Sequence, residues 1–274
     1  MSAKPAVVVS GGFDDLRARH LRWLEEAARV GELTVLLWAD EALQSETGRL
    51  PKFPLAERRY LLQAVRHVSG VIPVAAPLDT NALPHWNGFQ PEVWVDEEGP
   101  ANDARCAYAR QHGLEYRVVP ASQMLTLPAP APVASAHGRK KVIVTGCYDW
   151  FHSGHVRFFE EVSAYGDLYV VVGHDANIRL LKGVGHPLFS HEERRYLVGS
   201  VKYVTQALIS SGEGWLDADP EIRRLKPDIY AVNEDGDKGG KREYCAKMRL
   251  EYLVLQRSPA PGLPRRTSTD LRGF

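Results

Sequence analysis

The sequence predicts an α/β protein made of two similar units, each a parallel β-sheet with helices on both faces. The first observation is an alternation, in which short apolar runs such as residues 142–144 and 168–172 are separated by amphipathic stretches of helical length. Strands that are apolar along their whole length and joined by helices are typical of parallel sheets covered on both faces. The second observation is that the sequence repeats itself.

Four blocks recur in the same order in the two halves, at a nearly constant spacing. Pairwise, they are residues 11–20 and 146–155, 57–68 and 193–204, 91–94 and 227–230, and 114–119 and 250–255. The second pair shares the letters ERRYL and the last pair shares LEY. Convergence of two unrelated α/β patterns explains such identities poorly, so the repeat indicates a duplication.

A stretch rich in proline and alanine separates the two halves. Residues 121–140 carry no apolar period of helical spacing. This composition is typical of a semi-extended linker. We therefore predict one domain at residues 1–120, a linker at 121–140 and a second domain at 141–274.

In the second half, apolar runs mark strands and stretches with an apolar stripe mark helices. In order, they are a strand at 142–144, a helix at 154–165, a strand at 168–172, a helix at 190–201, a strand around Val204, a strand at 228–232, a helix from about Lys241 and a strand at 252–255. Parallel sheets of this kind bind ligands beyond the carboxyl ends of their strands, where the strand order reverses.

Composition argues against several classes of protein. Of 274 residues, 44% are hydrophobic and 25% are charged, and 34 Lys and Arg balance 34 Asp and Glu. This balance gives no global attraction to nucleic acid or to a membrane. No apolar run reaches the roughly 18 residues of a membrane helix, and the N-terminus lacks a signal-peptide core. The widely spaced Cys106, Cys147 and Cys245 fit neither a disulfide framework nor a zinc–thiolate site, so we expect a cytoplasmic protein.

The first strand of the second half ends in a turn that carries two histidines. Gly146 permits close approach of the backbone, and a helix that begins near Gly154 presents unpaired N–H groups and the positive end of its dipole. His152 and His155 are three residues apart, so on a first helical turn they project from one face. Imidazoles there can donate hydrogen bonds to phosphate oxygens, including oxygens whose charge grows in a transition state. The turn therefore predicts a phosphate site.

The stretch GCYDWFHSGH at 146–155 resembles the G-x-F-D-x-x-H-x-G-H signature of the nucleotidyltransferase family that includes the cytidylyltransferases, with Tyr148 in the place of phenylalanine. Four further segments resemble blocks of that family, in family order: RLLKG at 179–183, ER at 193–194, NEDG at 233–236 and RTST at 266–269. The resemblance implies two Rossmann-like nucleotidyltransferase domains. It also implies the family's reaction, in which an acceptor phosphate attacks the α-phosphorus of a nucleoside triphosphate and pyrophosphate leaves.

The resemblance also implies roles for individual residues. His152, His155 and Lys182 would be catalytic, the histidines stabilising the α-phosphoryl group and the lysine neutralising phosphate charge on the acceptor or on the triphosphate. The nucleotide would be bound by Gly146, Cys147, Tyr148, Asp149, Gly154, Arg194, Asn233, Asp235, Arg266, Thr267, Ser268 and Thr269. In this set, residues 267–269 would hold the β- and γ-phosphates from the start of a last helix, and Arg194 and Arg266 would be cationic partners. Mg²⁺ would bridge the triphosphate oxygens, with no metal site built by the protein alone.

Simpler interpretations stay open for several of these residues. A histidine pair is also compatible with a metal site, although Asp149 is the one further ligand nearby in the sequence. Asp149 is equally compatible with bracing the turn by accepting backbone N–H bonds. Lys182 is compatible with a solvated surface lysine. Cys147 is better explained as a small packed residue than as a nucleophile, because the chemistry needs none.

The first half lacks much of this pattern. In GGFDDLRARH at 11–20, Arg17 stands where the first histidine is expected, and Arg19 replaces the glycine before His20. An arginine obstructs the helix entry that a glycine leaves open to phosphate. The half has neither an L-K-G nor an R-T-S-T segment. We therefore predict a degenerate domain without catalysis, and we favour a scaffold over a regulatory nucleotide site.

Together these features predict a cytidylyltransferase that transfers CMP from CTP to a small phosphorylated alcohol or sugar, within a family range of glycerol phosphate, ethanolamine phosphate and heptose phosphate. One alternative is adenylyl transfer from ATP in the same pocket. Another is a nucleotide-binding regulatory protein without turnover. Association of two copies is compatible with the sequence, and no nucleic acid or membrane partner is expected.

Overall fold

A computed structural model of the protein describes residues 4–75, 79, 81–129, 131–134, 138–268 and 271. The chain divides into two compact units, Met1–Leu127 and Pro128–Phe274. Each unit contains one five-stranded sheet.

The N-terminal unit alternates strands and helices along the chain. Its elements are β1 (Ala6–Gly11), α1 (Ala18–Val30), β2 (Glu32–Trp38), α2 (Asp40–Thr47), α3 (Leu55–Gln63), β3 (Gly70–Val74), β4 (Val93–Glu97), α4 (Asn102–Gln111), β5 (Glu115–Val119) and α5 (Ala121–Met124). The last of these is a single turn within the stretch that the sequence predicts to be a linker.

From its first to its fifth strand, the C-terminal unit follows the same order, with one further helix between the third and fourth strands. Its elements are β6 (Lys141–Gly146), α6 (Ser153–Ser163), β7 (Asp167–Val172), α7 (Asp175–Lys182), α8 (His191–Gly199), β8 (Val204–Ile209), α9 (Asp219–Leu225), β9 (Ile229–Asn233), α10 (Lys241–Met248) and β10 (Glu251–Leu255). Short 3₁₀ turns occur at Gly214–Leu216 and Glu234–Gly236. The sequence analysis missed α7 and α9, because each spans only about two helical turns.

Both sheets are parallel and have the same topology. The strand order is β3-β2-β1-β4-β5 in the first sheet and β10-β9-β6-β7-β8 in the second. In each sheet the chain runs outwards from the central strand in one direction and then returns to its other side. The order of the second sheet therefore reverses between β6 and β9, which pair at Val142 with Ile229. Ligands of open parallel sheets bind at such a point, beyond the carboxyl ends of the strands.

The buried strands and helix stripes account for this architecture. Residues 142–144 of β6 are wholly buried, as the continuous apolar run predicts. On α6, Val156, Phe159 and Val162 recur every three residues and are at most 1% exposed, so one face of the helix packs on the sheet. Burying each such side chain contributes about 1.5–3 kcal/mol. The predicted parallel α/β fold is confirmed, and the predicted bounds of the elements differ from the observed ones by no more than two residues.

Across the part of the chain that the structure describes, no helix is long and apolar enough to cross a membrane.

Candidate functional site

A cavity of about 480 Å³ lies at the carboxyl edge of the second sheet. It opens where β6 and β9 diverge, at the reversal of strand order. Four parts of the chain contribute to it: the turn between β6 and α6, the segment after α7, the loop after β9 and the segment after β10. The lining residues are Thr145, Gly146, Cys147, Tyr148, Asp149, Trp150, Gly154, His155, Phe158, Lys182, His186, Ala231, Val232, Asn233, Asp235, Gly236, Lys238, Lys241, Arg257, Thr267 and Ser268.

The turn between β6 and α6 is folded tightly by two glycines. A Cβ at Gly146 would lie 2.7 Å from the Tyr148 ring, and a Cβ at Gly154 would lie 2.9 Å from the His152 ring. Real Cβ atoms essentially never come so close, so both positions require glycine. Tyr148 itself has a positive φ of 55°, a left-handed conformation that is uncommon outside glycine. The turn thus stores backbone strain beside the cavity.

The two histidines lie side by side at the start of α6. Their ring centroids are 4.0 Å apart and the rings are nearly parallel. His152 is the N-cap of the helix, and its Nδ1 accepts a hydrogen bond of 3.1 Å from the N–H of Gly154. It is buried and does not line the cavity, whereas His155 does. The structure therefore brings the predicted pair together but presents one ring to a ligand and uses the other to cap the helix.

His155 is poised to receive a hydrogen-bonding partner. Among the described residues its Nδ1 has none, although the atom is buried. Burial lowers the pKa of His155 well below 6.5, and the nearby charges of His152, Arg257 and Lys182 lower it further. The imidazole is consequently neutral at pH 7, with one N–H to donate and one nitrogen to accept.

We expect the pKa of His155 to rise when a triphosphate binds, because phosphate oxygens favour the charged imidazolium. Nucleotide binding would then take up a proton, and affinity would increase as the pH falls through the raised pKa of the complex. The measurement is an NMR titration of the His155 ring with and without α,β-methylene-ATP. Equal pKa values in both states would show that the imidazole does not face the phosphates.

Basic side chains dominate the remaining walls of the cavity. Lys182 and Lys238 make no ion pair or hydrogen bond through their ammonium groups within the described ranges. Arg257 is paired with Asp235 and donates 2.8 Å to the carbonyl of Arg266. A cavity with uncompensated ammonium groups beside a neutral donor histidine favours polyanionic ligands.

The segment after β10 approaches the histidine turn. Thr267 and Ser268 line the cavity, and the carbonyl of Arg266 lies 3.7 Å from where a Cβ of Gly154 would stand. Arg266 contributes that carbonyl and its side chain does not line the cavity, contrary to the predicted cationic role. No helix begins within the described residues of this segment. The prediction for Thr269 lies outside the described residues.

Arg194 differs most from its predicted role. Its side chain is 1% exposed and lies beneath the histidine turn, outside the cavity. The guanidinium donates to the carbonyls of Phe189 (2.9 Å), Cys147 (2.6 Å) and Gly173 (2.8 Å) and to the carboxylate of Asp175 (2.6 Å). With its donors directed to these protein acceptors, the guanidinium of Arg194 holds the turn and does not line the cavity, where the predicted role would place it.

Asp149 has the bracing arrangement that the sequence analysis kept open. Its carboxylate accepts the backbone N–H groups of Leu188 and Phe189, each at 2.9 Å. It lines the cavity but is buried, and its oxygens are already used. The aspartate thereby ties the histidine turn to the segment that carries Lys182.

The N-terminal unit contains the same clamp. Arg58 donates to the carbonyls of Phe53 (2.9 Å), Gly12 (2.6 Å) and Trp38 (2.8 Å) and to Asp40 (2.5 Å). These four acceptors match those of Arg194 along the repeat. The N-terminal unit lacks the first histidine and the glycine of the motif but keeps this arginine. The shared ERRYL sequence is therefore explained by the structure of the turn and not by a catalytic role.

Where the C-terminal unit has its cavity, the N-terminal unit has an acidic one. It is lined by Ser10, Gly11, Gly12, Phe13, His20, Trp23, Asp96, Glu97, Glu98, Gly99 and Arg105. Arg19, in the position of Gly154, crosses to Glu97 with an N–O distance of 2.7 Å. The three carboxylates that line this cavity would repel a triphosphate, and the guanidinium of Arg19 is already paired with Glu97. This cavity is therefore unsuited to a triphosphate.

Several residues that line the cavity of the C-terminal unit were not among the predicted site residues. They include Trp150 and four basic residues, His186, Lys238, Lys241 and Arg257. Lys238 and Lys241 carried a usable signal, since they follow the predicted strand at 228–232 and so lie at the carboxyl edge. Arg257 likewise follows the last strand. Basic residues that closely follow a strand of a parallel sheet are therefore as useful as the histidine motif for predicting which residues line the cavity.

Comparison with known proteins adds an independent observation. A family model described as cytidylyltransferase-like matches residues 143–250. The FAD synthase of Ferroglobus placidus is 38% identical over 120 residues, which are 43% of this chain and 75% of that protein. The FAD synthase of Methanospirillum hungatei is 33% identical over 134 residues, 48% of this chain and 82% of that protein.

A further relative is longer than the region it shares with this chain. The bifunctional protein HldE of Pseudomonas fluorescens is 37% identical over 141 residues. These residues are 49% of this chain but only 27% of HldE. The likeness therefore concerns one part of that protein.

Proposed function

This chain belongs to the cytidylyltransferase-like family of nucleotidyltransferases, and we propose that its C-terminal unit transfers a nucleoside monophosphate to the phosphate group of a small acceptor. The observation that carries the proposal is the lining of one cavity. His155, Lys182 and the hydroxyl residues Thr267 and Ser268 meet at the reversal of strand order, beside the N-terminus of α6. A polyanion in that place would meet an N–H donor, an unpaired ammonium group and two hydroxyls.

The reaction needs no covalent intermediate on the protein. An oxygen of the acceptor phosphate forms a bond to the α-phosphorus, and the bond from that phosphorus to the bridging oxygen of the β-phosphate breaks. Pyrophosphate carries away the electron pair. The contribution of the protein is to position both substrates and to stabilise the charge that builds on the α-phosphoryl oxygens.

Individual residues take distinct parts in this proposal. His155 donates a hydrogen bond to the α-phosphoryl group in the transition state, and Lys182 neutralises phosphate charge. His152 holds the first turn of α6 and the His155 ring through capping and stacking. Arg257 can exchange Asp235 for a phosphate oxygen. Asn233 and Asp235, which line the cavity at the end of β9, are assigned to the nucleoside.

Mg²⁺ fits this cavity as a companion of the triphosphate. Within the part of the chain that is described, no group of three or more His, Cys, Asp or Glu side chains is arranged to hold a metal ion. The carboxylate of Asp149 already accepts backbone N–H groups. Asp235 also lines the cavity, and its side chain is 51% exposed, so it is the better placed of the two to contact a cation. A cation held mainly by phosphate oxygens and water, with Asp235 beside it, suits these residues, and it would neutralise charge on the leaving pyrophosphate.

We favour ATP over CTP as the donor. The chain covers most of two FAD synthases, and FAD contains an adenylyl group joined to flavin mononucleotide. The motifs that led the sequence analysis to CTP concern phosphate handling, which is the same for both nucleotides. CTP stays the second candidate, supported by the cytidylyltransferase-like description of the matched family.

The proposal is tested by pyrophosphate release. The full chain is incubated with Mg²⁺, each of the four nucleoside triphosphates in turn, and a panel of acceptors that contains glycerol 3-phosphate, ethanolamine phosphate, a heptose phosphate and flavin mononucleotide. Release that depends on ATP and on one acceptor is expected. Release with CTP alone selects the second candidate. Tight nucleotide binding without any release across the panel contradicts catalysis and favours a regulatory protein.

The N-terminal unit is proposed to be a scaffold without turnover. We expect Arg17→Ala to leave the rate within about twofold of the wild type, since Arg17 pairs with Asp15 in the N-terminal unit and lines neither the N-terminal nor the C-terminal cavity. The measurement is the steady-state rate of pyrophosphate release with saturating substrates. A tenfold loss, with unchanged thermal unfolding, would assign the N-terminal unit a part in the reaction.

A further inference from the structure

The loop after β9 and the start of α10 each contribute one lysine to the lining of the cavity, and Asp237 of the loop is bonded to two side chains. Asp237 binds the guanidinium of Arg242 at 2.5 Å and accepts the hydroxyl of Tyr252 at 3.0 Å. These contacts anchor the loop from outside, beside the residues that face inward. Lys238 and Lys241 line the cavity from this loop and from the first residue of α10.

The duplication provides an internal comparison for these lysines. The blocks 91–94 and 114–119 are shifted equally from 227–230 and 250–255, so no gap lies between them. Lys238 therefore corresponds to Asn102 of the N-terminal unit, and Lys241 to Arg105.

In the N-terminal unit the side chains at both positions are bonded to other residues of that unit. Asn102 donates 2.9 Å to the carbonyl of Glu97 and 2.9 Å to the hydroxyl of Tyr116. Arg105 forms an ion pair of 2.7 Å with Asp96, which is buried. The positive charge of Arg105 is therefore already balanced by Asp96, and Asn102 carries no charge.

In the C-terminal unit the matching counterion is missing. Val232 stands where Asp96 would be, so Lys241 has no carboxylate within ion-pair distance in the described residues and donates only to the carbonyl of Gly236, at 2.9 Å. Burial lowers the pKa of Lys241, and the charge of Lys238 lowers it further, partly offset by Asp237 and other carboxylates. Two ammonium groups thus lie near each other, facing the cavity, without a close counterion.

These lysines form a second cationic group, apart from the histidine turn. Lys238 and Lys241 line the cavity from the loop after β9 and from α10, whereas His155 and Lys182 line it from α6 and α7. The proposed reaction brings two anions together, a triphosphate and an acceptor phosphate, and their repulsion must be offset at both places. The cationic residues near the histidine turn offset the charge of the triphosphate, so the charge of the acceptor phosphate calls for a second cationic group.

We propose that Lys238 and Lys241 bind the phosphate group of the acceptor, so that the loop after β9 selects phosphate monoesters as the second substrate. This inference rests on the proposed nucleotidyl transfer. It makes the pair acceptor-binding residues, distinct from the residues at the histidine turn that hold the triphosphate. The N-terminal unit, with the same fold, lacks this property because Asp96 is paired with Arg105.

Kinetics of single variants provide the first test. Lys238→Asn introduces the residue of the N-terminal unit, and Lys241→Gln removes the charge at similar length. Each is expected to raise the KM for the acceptor about 10-fold to 100-fold, the size of a lost charged hydrogen bond, while the KM for the nucleotide changes less than threefold. Lys247→Gln is the matched control, since Lys247 is exposed on α10 and does not line the cavity. A rise in the nucleotide KM alone would overturn the assignment and leave nucleotidyl transfer intact.

A binding experiment makes the test independent of turnover. Inorganic phosphate is titrated by calorimetry into the full chain saturated with α,β-methylene-ATP. Wild type is expected to bind phosphate, and the double variant Lys238→Asn, Lys241→Gln to lose at least tenfold in affinity with unchanged affinity for the analogue. Equal phosphate binding by the double variant, or none by wild type, overturns the inference. Failure of the proposed function is separate, because it is seen as absence of pyrophosphate release by wild type with all four nucleotides.

Discussion

Replacing His155 with alanine is expected to lower kcat by a factor of about 100 or more, the typical effect of removing one preorganised transition-state donor. His155 is the histidine of the pair that lines the cavity, and its Nδ1 has no partner among the described residues. The nucleotide KM should change little, because the hydrogen bond gains most of its strength when charge develops on the α-phosphoryl oxygens. The measurement is pyrophosphate release at saturating substrates.

His20→Ala is the matched control for this variant. His20 occupies the same place in the repeat, in a unit that we propose to be silent, and burial lowers its pKa as it does for His155. Its removal should leave kcat within about twofold, although the hydrogen bond from the N–H of Arg17 to its Nδ1 is lost. If His155→Ala retains more than a fifth of the wild-type kcat while remaining folded, the role assigned to His155 is wrong.

Replacing Arg194 with methionine is expected to lower the free energy of unfolding of the C-terminal unit by about 3–5 kcal/mol, the usual cost of breaking a buried charged network by removing one partner. Three carbonyls and the carboxylate of Asp175 would lose their donor at once. Denaturant unfolding, with hydrogen exchange to separate the two units, measures the loss.

Arg58→Met should produce a loss of similar size, confined to the N-terminal unit, because its four contacts are the same in kind. Arg224→Met is the control, since Arg224 is exposed and a surface change of this kind stays within about 0.5 kcal/mol. Should Arg194→Met unfold like wild type yet bind nucleotide poorly, Arg194 would be a ligand residue after all, as the family resemblance first implied.

Several properties of this protein followed from the sequence alone. The apolar strands, the amphipathic stripe of α6 and the duplication predicted two parallel α/β units, and the motif at 146–155 predicted the family to which the chain belongs. Predictions from these features were correct because the features act over a few residues. An uninterrupted apolar run requires a strand that is buried on both faces, and the capping residue and glycine mark where a helix begins. The placement of His155, Lys182, Asn233, Asp235, Thr267 and Ser268 around one cavity agrees with the strand-end rule.

The tertiary structure decided which way the polar side chains of these elements face. Arg194 is in the right block, but the geometry of α8 turns its guanidinium under the histidine turn and away from the cavity. Arg105 and Lys241 occupy matching positions, yet Arg105 is paired with Asp96, whereas the position of Asp96 is taken by Val232 in the C-terminal unit and Lys241 donates to the carbonyl of Gly236. Spacing along the chain fixes the face of a helix or strand, whereas the charge available to a ligand depends on counterions brought from other elements by folding. The sequence by itself therefore determined the fold and the position of the histidine turn at the carboxyl edge of the sheet. Only the packed structure separated the arginine that holds this turn, Arg194, from the lysines that line the cavity, Lys238 and Lys241.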